Sequence, residues 1–174
     1  LPDNNAVARL LAYTQQRHFP ESQTALSVLK TVVDRQARLI ANWMRVGFIH
    51  GVMNTDNMLV SGETIDYGPC AFMDNYHPNT VFSSIDDSGR YAYNNQPLIA
   101  QWNCARFADT LAAFIKPDDA QQAIHDFMPR YYQYWLIAMG GKLGLDSIID
   151  GDAQLITDLL AFMAETHADF TLTF

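Results

Sequence analysis

With 174 residues, 49% of them apolar and 17% charged, the chain has the length of one domain and enough apolar side chains to bury a sizeable core. A net charge of −8 without any Lys/Arg cluster argues against binding nucleic acid through its phosphates. The longest apolar runs fall far short of the ~20 residues of a membrane span, and LPDNNAVARL has neither the basic start nor the apolar stretch of a signal peptide.

In chain order, residues 6–16 predict a short first helix after Asp3-Asn4. From Thr24 to Val46, Leu26, Leu29, Val33, Ala37, Ile40 and Met44 recur at three and four residues, which predicts an amphipathic helix closed by Gly47. Met58–Val60 and Thr64–Ile65 predict two short strands turning at Ser61-Gly62. The segment 69–96 is rich in Asp, Asn, Ser, Tyr and Gly, shows no period, and predicts a long loop of the functional kind.

Pro97 opens a further helix whose Leu98, Trp102, Ala105, Leu111 and Ile115 are expected to face the core until Pro117. A helical region from about Asp118 to Met139 is expected to kink or break at Pro129 and to end at Gly140-Gly141. The last helix, Asp152 to Thr166, is expected to bury Leu155, Leu159, Phe162 and Met163. Trp43, Trp102 and Trp135 read as core or near-core residues, and Tyr131 to Trp135 as part of a helix buried on several sides. The fold class is therefore mainly α with a small β-hairpin, in a single domain over 1–174.

Cys70 and Cys104 lack metal-ligand spacing and read as reduced thiols, Cys104 as a core residue. The five histidines are scattered, and none forms a zinc-type pair. Chemistry concentrates instead between Ile49 and Pro69, IHGVMNTDNMLVSGETIDYGP. Asp56-Asn57 and Asp66 stand at the two ends of the expected hairpin, and such oxygen donors suit a hard divalent cation shared with substrate phosphates.

His50 and Asn57 stand seven apart, as in the kinase loop His-x-Asp-x-x-x-x-Asn, and Asp66-Tyr67-Gly68 follows as an Asp-Phe-Gly-like turn. Val52 occupies the place of the kinase base, while Asp56 adds a carboxylate directly before Asn57. His50 reads as a structural hydrogen-bonding residue and Tyr67 as a packing residue.

HGVMNTDNM, TIDYGP and the later GRYAYNNQP together resemble the selenoprotein O family of kinase-like proteins, along essentially all 174 residues. The resemblance implies a protein-kinase-like C-terminal lobe of a pseudokinase that binds ATP in a flipped orientation. It implies transfer of AMP to Ser, Thr or Tyr hydroxyls of protein substrates. Under it Asp56 is the proton acceptor, Asn57 a ligand of Mg²⁺ (or Mn²⁺), and Asp66 a ligand of both metal and nucleotide.

The start without Met reads as that of a fragment or processed chain, and the resemblance puts the N-terminal lobe before Leu1, so these 174 residues alone are expected to transfer little AMP. The redox Cys of many members is replaced at Val81-Phe82-Ser83-Ser84, which puts a disulfide switch in doubt. Two other readings stay open: a non-catalytic kinase-like nucleotide-binding module, and a small-molecule phosphotransferase, against which Val52 argues. The acidic composition suits a bacterial cytoplasm or a mitochondrial matrix.

Overall fold

The capping chemistry written into the chain sets the ends of the first two helices. In the computed structural model, which describes residues 3–174, the Asp3 carboxylate accepts the N–H groups of Asn5 and Ala6 and starts α1 (Asn4–His18). Thr24 and Ser27 form a reciprocal capping box at the head of α2 (Ala25–Val46). Gly47, at φ 71°, closes α2 with its N–H on the carbonyls of Met44 and Trp43.

At 22 residues, α2 is ~33 Å long and forms the axis of the domain, packed against α3 (Gln96–Thr110), α4 (Pro117–His125) and α5 (Phe127–Lys142). Leu29, Val33, Ala37, Ile40 and Met44 are buried along it, as the spacing predicts, with Leu26 only partly covered and Ala41 buried beside them. Val28 and Val32 are buried on a second stripe, against Phe19. With both stripes covered, α2 is a core helix.

Directly after α2 the chain forms β1 (Phe48–Ile49), which pairs antiparallel with β2 (Ala71–Phe72), Phe48 opposite Phe72 and Ile49 opposite Ala71. This two-stranded sheet differs from the predicted hairpin. At Met58–Val60 and Thr64–Ile65 only one bridge forms, Met58 to Thr64, around a turn in which the Gly62 N–H bonds the Leu59 carbonyl. The hairpin is too short for a ladder, and the strand partner of β1 comes from the segment read as loop.

The helix after that loop begins at Gln96, with Pro97 in its first turn. Its buried face is Pro97, Ala100, Asn103, Cys104 and Ala108. Leu98 and Trp102 are exposed, at 56% and 45%, which corrects that part of the expected core face, while Leu111 and Ile115 are buried as expected although the helix itself ends at Thr110. Small side chains mark the buried stripe because α2 passes close to it.

The region 118–139 breaks at Asp126, not Pro129, which sits in the first turn of α5 where its missing N–H breaks no helical bond. Gly140 and Gly141 are absorbed into α5, which ends at Lys142. Within α5 Tyr131 is buried, Tyr134 and Trp135 are partly buried, and Tyr132 is exposed.

The last helix, α6 (Asp152–Thr166), has the predicted bounds. It buries Ile156 and Met163, with Leu159 partly covered, while Leu155 and Phe162 face outward. A single stripe of α6 meets the rest of the chain, and those two side chains fall outside it. Beyond α6, Phe170 returns to the core: its N–H bonds the Asp74 carbonyl, and its ring stacks on Tyr76 beside Tyr93.

Candidate active site

Residues 50–68 lie where α2, the sheet and the head of α3 meet. His50 is fully buried: its backbone N–H donates to Gln96 Oε1 at 3.0 Å, and its ring stacks on Trp43, 5.5 Å between centroids. Nδ1 receives the Val52 N–H at 3.4 Å, so the ring proton sits on Nε2, which donates to the Ile65 carbonyl at 2.8 Å. Trp43 in turn donates its indole N–H to Thr64 Oγ1 at 2.9 Å. Two side chains from the end of α2 and the start of the loop thus hold the residues immediately before Asp66. His50 is a positioning residue with its backbone N–H and both ring nitrogens engaged.

Asp56 and Asn57 lie on a single 3-10 turn, Thr55–Asn57. The Asp56 side chain is exposed and takes part in no hydrogen bond or ion pair among the described residues. Asn57 donates Nδ2 to the Val52 carbonyl at 2.9 Å. With the nitrogen committed, Oδ1 is the atom left for a ligand, the donor a hard cation requires.

Asp66 is also exposed and has φ 56°, one of two non-glycine residues in the left-handed region among those described. Its carbonyl accepts the Gly68 N–H at 2.8 Å, closing the turn that presents the carboxylate. Side chains here rarely adopt that backbone conformation, and such strain concentrates at functional positions. Tyr67, read as packed, is 65% exposed, because the turn projects it away from the core.

Among the described residues no three His, Cys, Asp or Glu side chains converge on a common point to hold a metal ion. The oxygens available are the Asn57 amide and the Asp66 carboxylate, a donor set that fits a hard divalent cation completing its shell with phosphate oxygens and water.

Four further residues hold this loop, and sequence reading assigned them no role. Gln96, fully buried, donates Nε2 to the Phe48 carbonyl at 2.9 Å while accepting from His50, so it spans β1 and the loop. Asn103 Nδ2 donates to the Met53 carbonyl at 2.9 Å, and Gln36 Nε2 to the Leu59 carbonyl at 2.6 Å. These buried amides grip the loop on either side of Asp56-Asn57. Tyr91 donates its hydroxyl to Asn54 Oδ1 at 2.7 Å. Tyr91 and Gln96 fall within GRYAYNNQP, so the motif was a signal; Gln36 and Asn103 were hidden in helical periods.

Comparison with known proteins agrees with the motifs. The family model described as protein adenylyltransferase SelO matches residues 1–174. A protein nucleotidyltransferase YdiU of Agrobacterium fabrum is 53% identical over 182 aligned residues, covering 99% of this chain and 37% of that protein. The proteins of the same name from Shouchella clausii and Alkaliphilus metalliredigens are 53% and 55% identical, over 98% and 95% of this chain. The chain spans 36–37% of the length of these relatives.

Proposed function

The chain belongs to the SelO protein adenylyltransferase family, and from that premise we propose that it is the protein-kinase-like C-terminal lobe of an enzyme that moves AMP from ATP to protein hydroxyls. The observation that carries the reading is the Asn57 amide. Its nitrogen is spent on the Val52 carbonyl, which leaves its oxygen for a ligand, and Asp56, whose carboxylate makes no hydrogen bond or ion pair among the described residues, precedes it on the same 3-10 turn.

In the proposed reaction the acceptor hydroxyl attacks the α-phosphorus of ATP. The new bond joins hydroxyl oxygen to phosphorus, the bond to the β-phosphate oxygen breaks, and pyrophosphate leaves. Asp56 accepts the hydroxyl proton; positioned acid–base groups of this kind contribute ~10²–10⁴-fold. Asn57 and Asp66 would hold Mg²⁺ or Mn²⁺, which when bound neutralises charge on the phosphate oxygens. His50, Trp43, Gln96 and Asn103 set the distances, because catalysis of this type rests on position. No helix among the described residues is long and apolar enough to cross a membrane.

The test uses the full-length protein with Mg²⁺ and ATP labelled separately at the α- and γ-phosphates. Protein-bound label from the α position is expected. Label from the γ position alone would replace the reading with kinase activity, and nucleotide binding without any transfer would replace it with a binding module.

A further inference from the structure

A cavity of about 340 Å³ opens between α2, α3 and residues 55–60, at the small end of the ~300–1,000 Å³ range of ligand sites. A cavity of that size can take in one large side chain. Its walls are mostly apolar, from Val32, Met58, Val60 and Phe107, and Thr55, the neighbour of Asp56, lines it. Arg106 also lines it.

The same Arg106 reaches the ring of Trp102, 5.3 Å from its centre, and Arg90 lies over that ring at 5.2 Å. Trp102 is 45% exposed, and both arginines are exposed. Arg90 has no carboxylate within ion-pair distance among the described residues, and the pair Arg106–Asp109, at 3.0 Å, is solvent-exposed and exchangeable. In a chain of net charge −8, the unpaired Arg90 guanidinium and the Arg106 guanidinium, shared with Asp109, flank an exposed Trp. Trp and Arg are the side chains that dominate binding energy at protein interfaces.

This surface is held in register with the loop. The Asp86 carboxylate accepts the backbone N–H groups of both Arg90 and Tyr91, each at 2.8 Å. Tyr91 then bonds Asn54, two residues before Asp56.

We propose that the surface from Arg90 across Trp102 to Arg106, together with the adjoining cavity, docks the acceptor segment of the protein substrate. The arginines take an acidic side chain and the cavity an apolar one. The proposal rests on the adenylyltransferase reading and supplies its substrate class: hydroxyl acceptors in acidic, apolar-containing segments.

The experiment uses the full-length protein and two synthetic peptides that share one Ser and one Leu, one carrying Glu residues and the other Lys at the same positions. Fluorescence anisotropy of the labelled peptides reads binding, and α-labelled ATP reads transfer. Wild type is expected to bind the Glu peptide more tightly. Arg90→Glu with Arg106→Glu should weaken it by about tenfold or more, as loss of an interface hot spot does, and should restore the Lys peptide, with KM for ATP and kcat unchanged. Equal binding of both peptides by wild type, or unchanged binding after charge reversal, overturns the docking surface. A parallel rise in KM for ATP would also overturn it, assigning the arginines to the nucleotide. Charge-dependent binding without transfer of α-label would leave the docking surface standing while the adenylyltransferase reading fell.

Discussion

His50 donates from Nε2 to the carbonyl of Ile65 at 2.8 Å, and this bond couples the loop carrying Asp56 and Asn57 to the turn carrying Asp66. The two stretches are joined elsewhere by one bridge, Met58 to Thr64. Their mutual position therefore depends strongly on a single buried imidazole stacked on Trp43. His50→Phe keeps an aromatic ring against Trp43 but leaves the Ile65 carbonyl and the Val52 N–H without that partner. The expected outcome is a drop in kcat for AMP transfer of about tenfold or more, from the sensitivity of positioned catalysis to small displacements. Its partner groups lie near the surface of the loop, so the loss of stability should stay within the ~1–3 kcal/mol of an unmade hydrogen bond. Urea unfolding beside single-turnover kinetics separates the two effects.

Asp56 and Asp66 are expected to fail differently. Asp66→Ala removes a proposed metal and nucleotide ligand, so metal-dependent nucleotide binding should be lost, as read by calorimetry with Mg²⁺ and ATP. Asp56→Asn removes only the proposed proton acceptor. Nucleotide binding should persist while kcat falls by ~10²–10⁴-fold. Wild-type activity in both variants would remove the assignments.

Gln96 ties three elements at once through its bonds to His50 N–H and the Phe48 carbonyl. Gln96→Leu fills similar space but leaves two buried backbone groups without their side-chain partner. The expected destabilisation is ~2–6 kcal/mol, since each of the two unsatisfied buried groups costs ~1–3 kcal/mol. A shift of the urea midpoint with unchanged slope would read it. Gln96→Glu keeps the acceptor for His50 but loses the donor to Phe48 and buries a carboxyl, so it should be no better tolerated.

The features legible in the chain were those written in local chemistry. The heptad-like apolar spacing of α2, the left-handed stop at Gly47 and the bounds of α6 depend on neighbours in sequence. The spacing from His50 to Asn57 depends on them too. What escaped depends on what lies across the fold. Leu98 and Trp102 carry apolar weight at helical spacing, yet α3 turns Ala100, Cys104 and Ala108 inward. The pairing of β1 with β2 joins residues more than twenty apart through two-residue strands too short to leave a pattern. Gln36 and Asn103 act on the loop through carbonyls of Leu59 and Met53, a relation that only the tertiary contacts reveal.

Cys104 gives a pH prediction. It is 3% exposed, and burial pushes its thiol up to about 12 from an ordinary value of 9.0, because the thiolate would lose its hydration. The folded state therefore favours the neutral thiol. Its contribution to stability is complete below pH 9, where the unfolded thiol is also protonated, and is lost progressively as pH rises from 9 towards 12. Cys104→Ala should remove this part of the alkaline decline, giving a flatter stability curve above pH 9 in chemical denaturation at several pH values. The same burial predicts chemical protection, since the thiolate is the reactive form. With iodoacetamide at pH 8, mass spectrometry of tryptic peptides should find Cys104 unmodified in the folded protein and modified once urea is present. Rapid alkylation of Cys104 without denaturant would show that α3 opens from α2 on the time scale of labelling, and would overturn the closed packing that positions Asn103 on the loop.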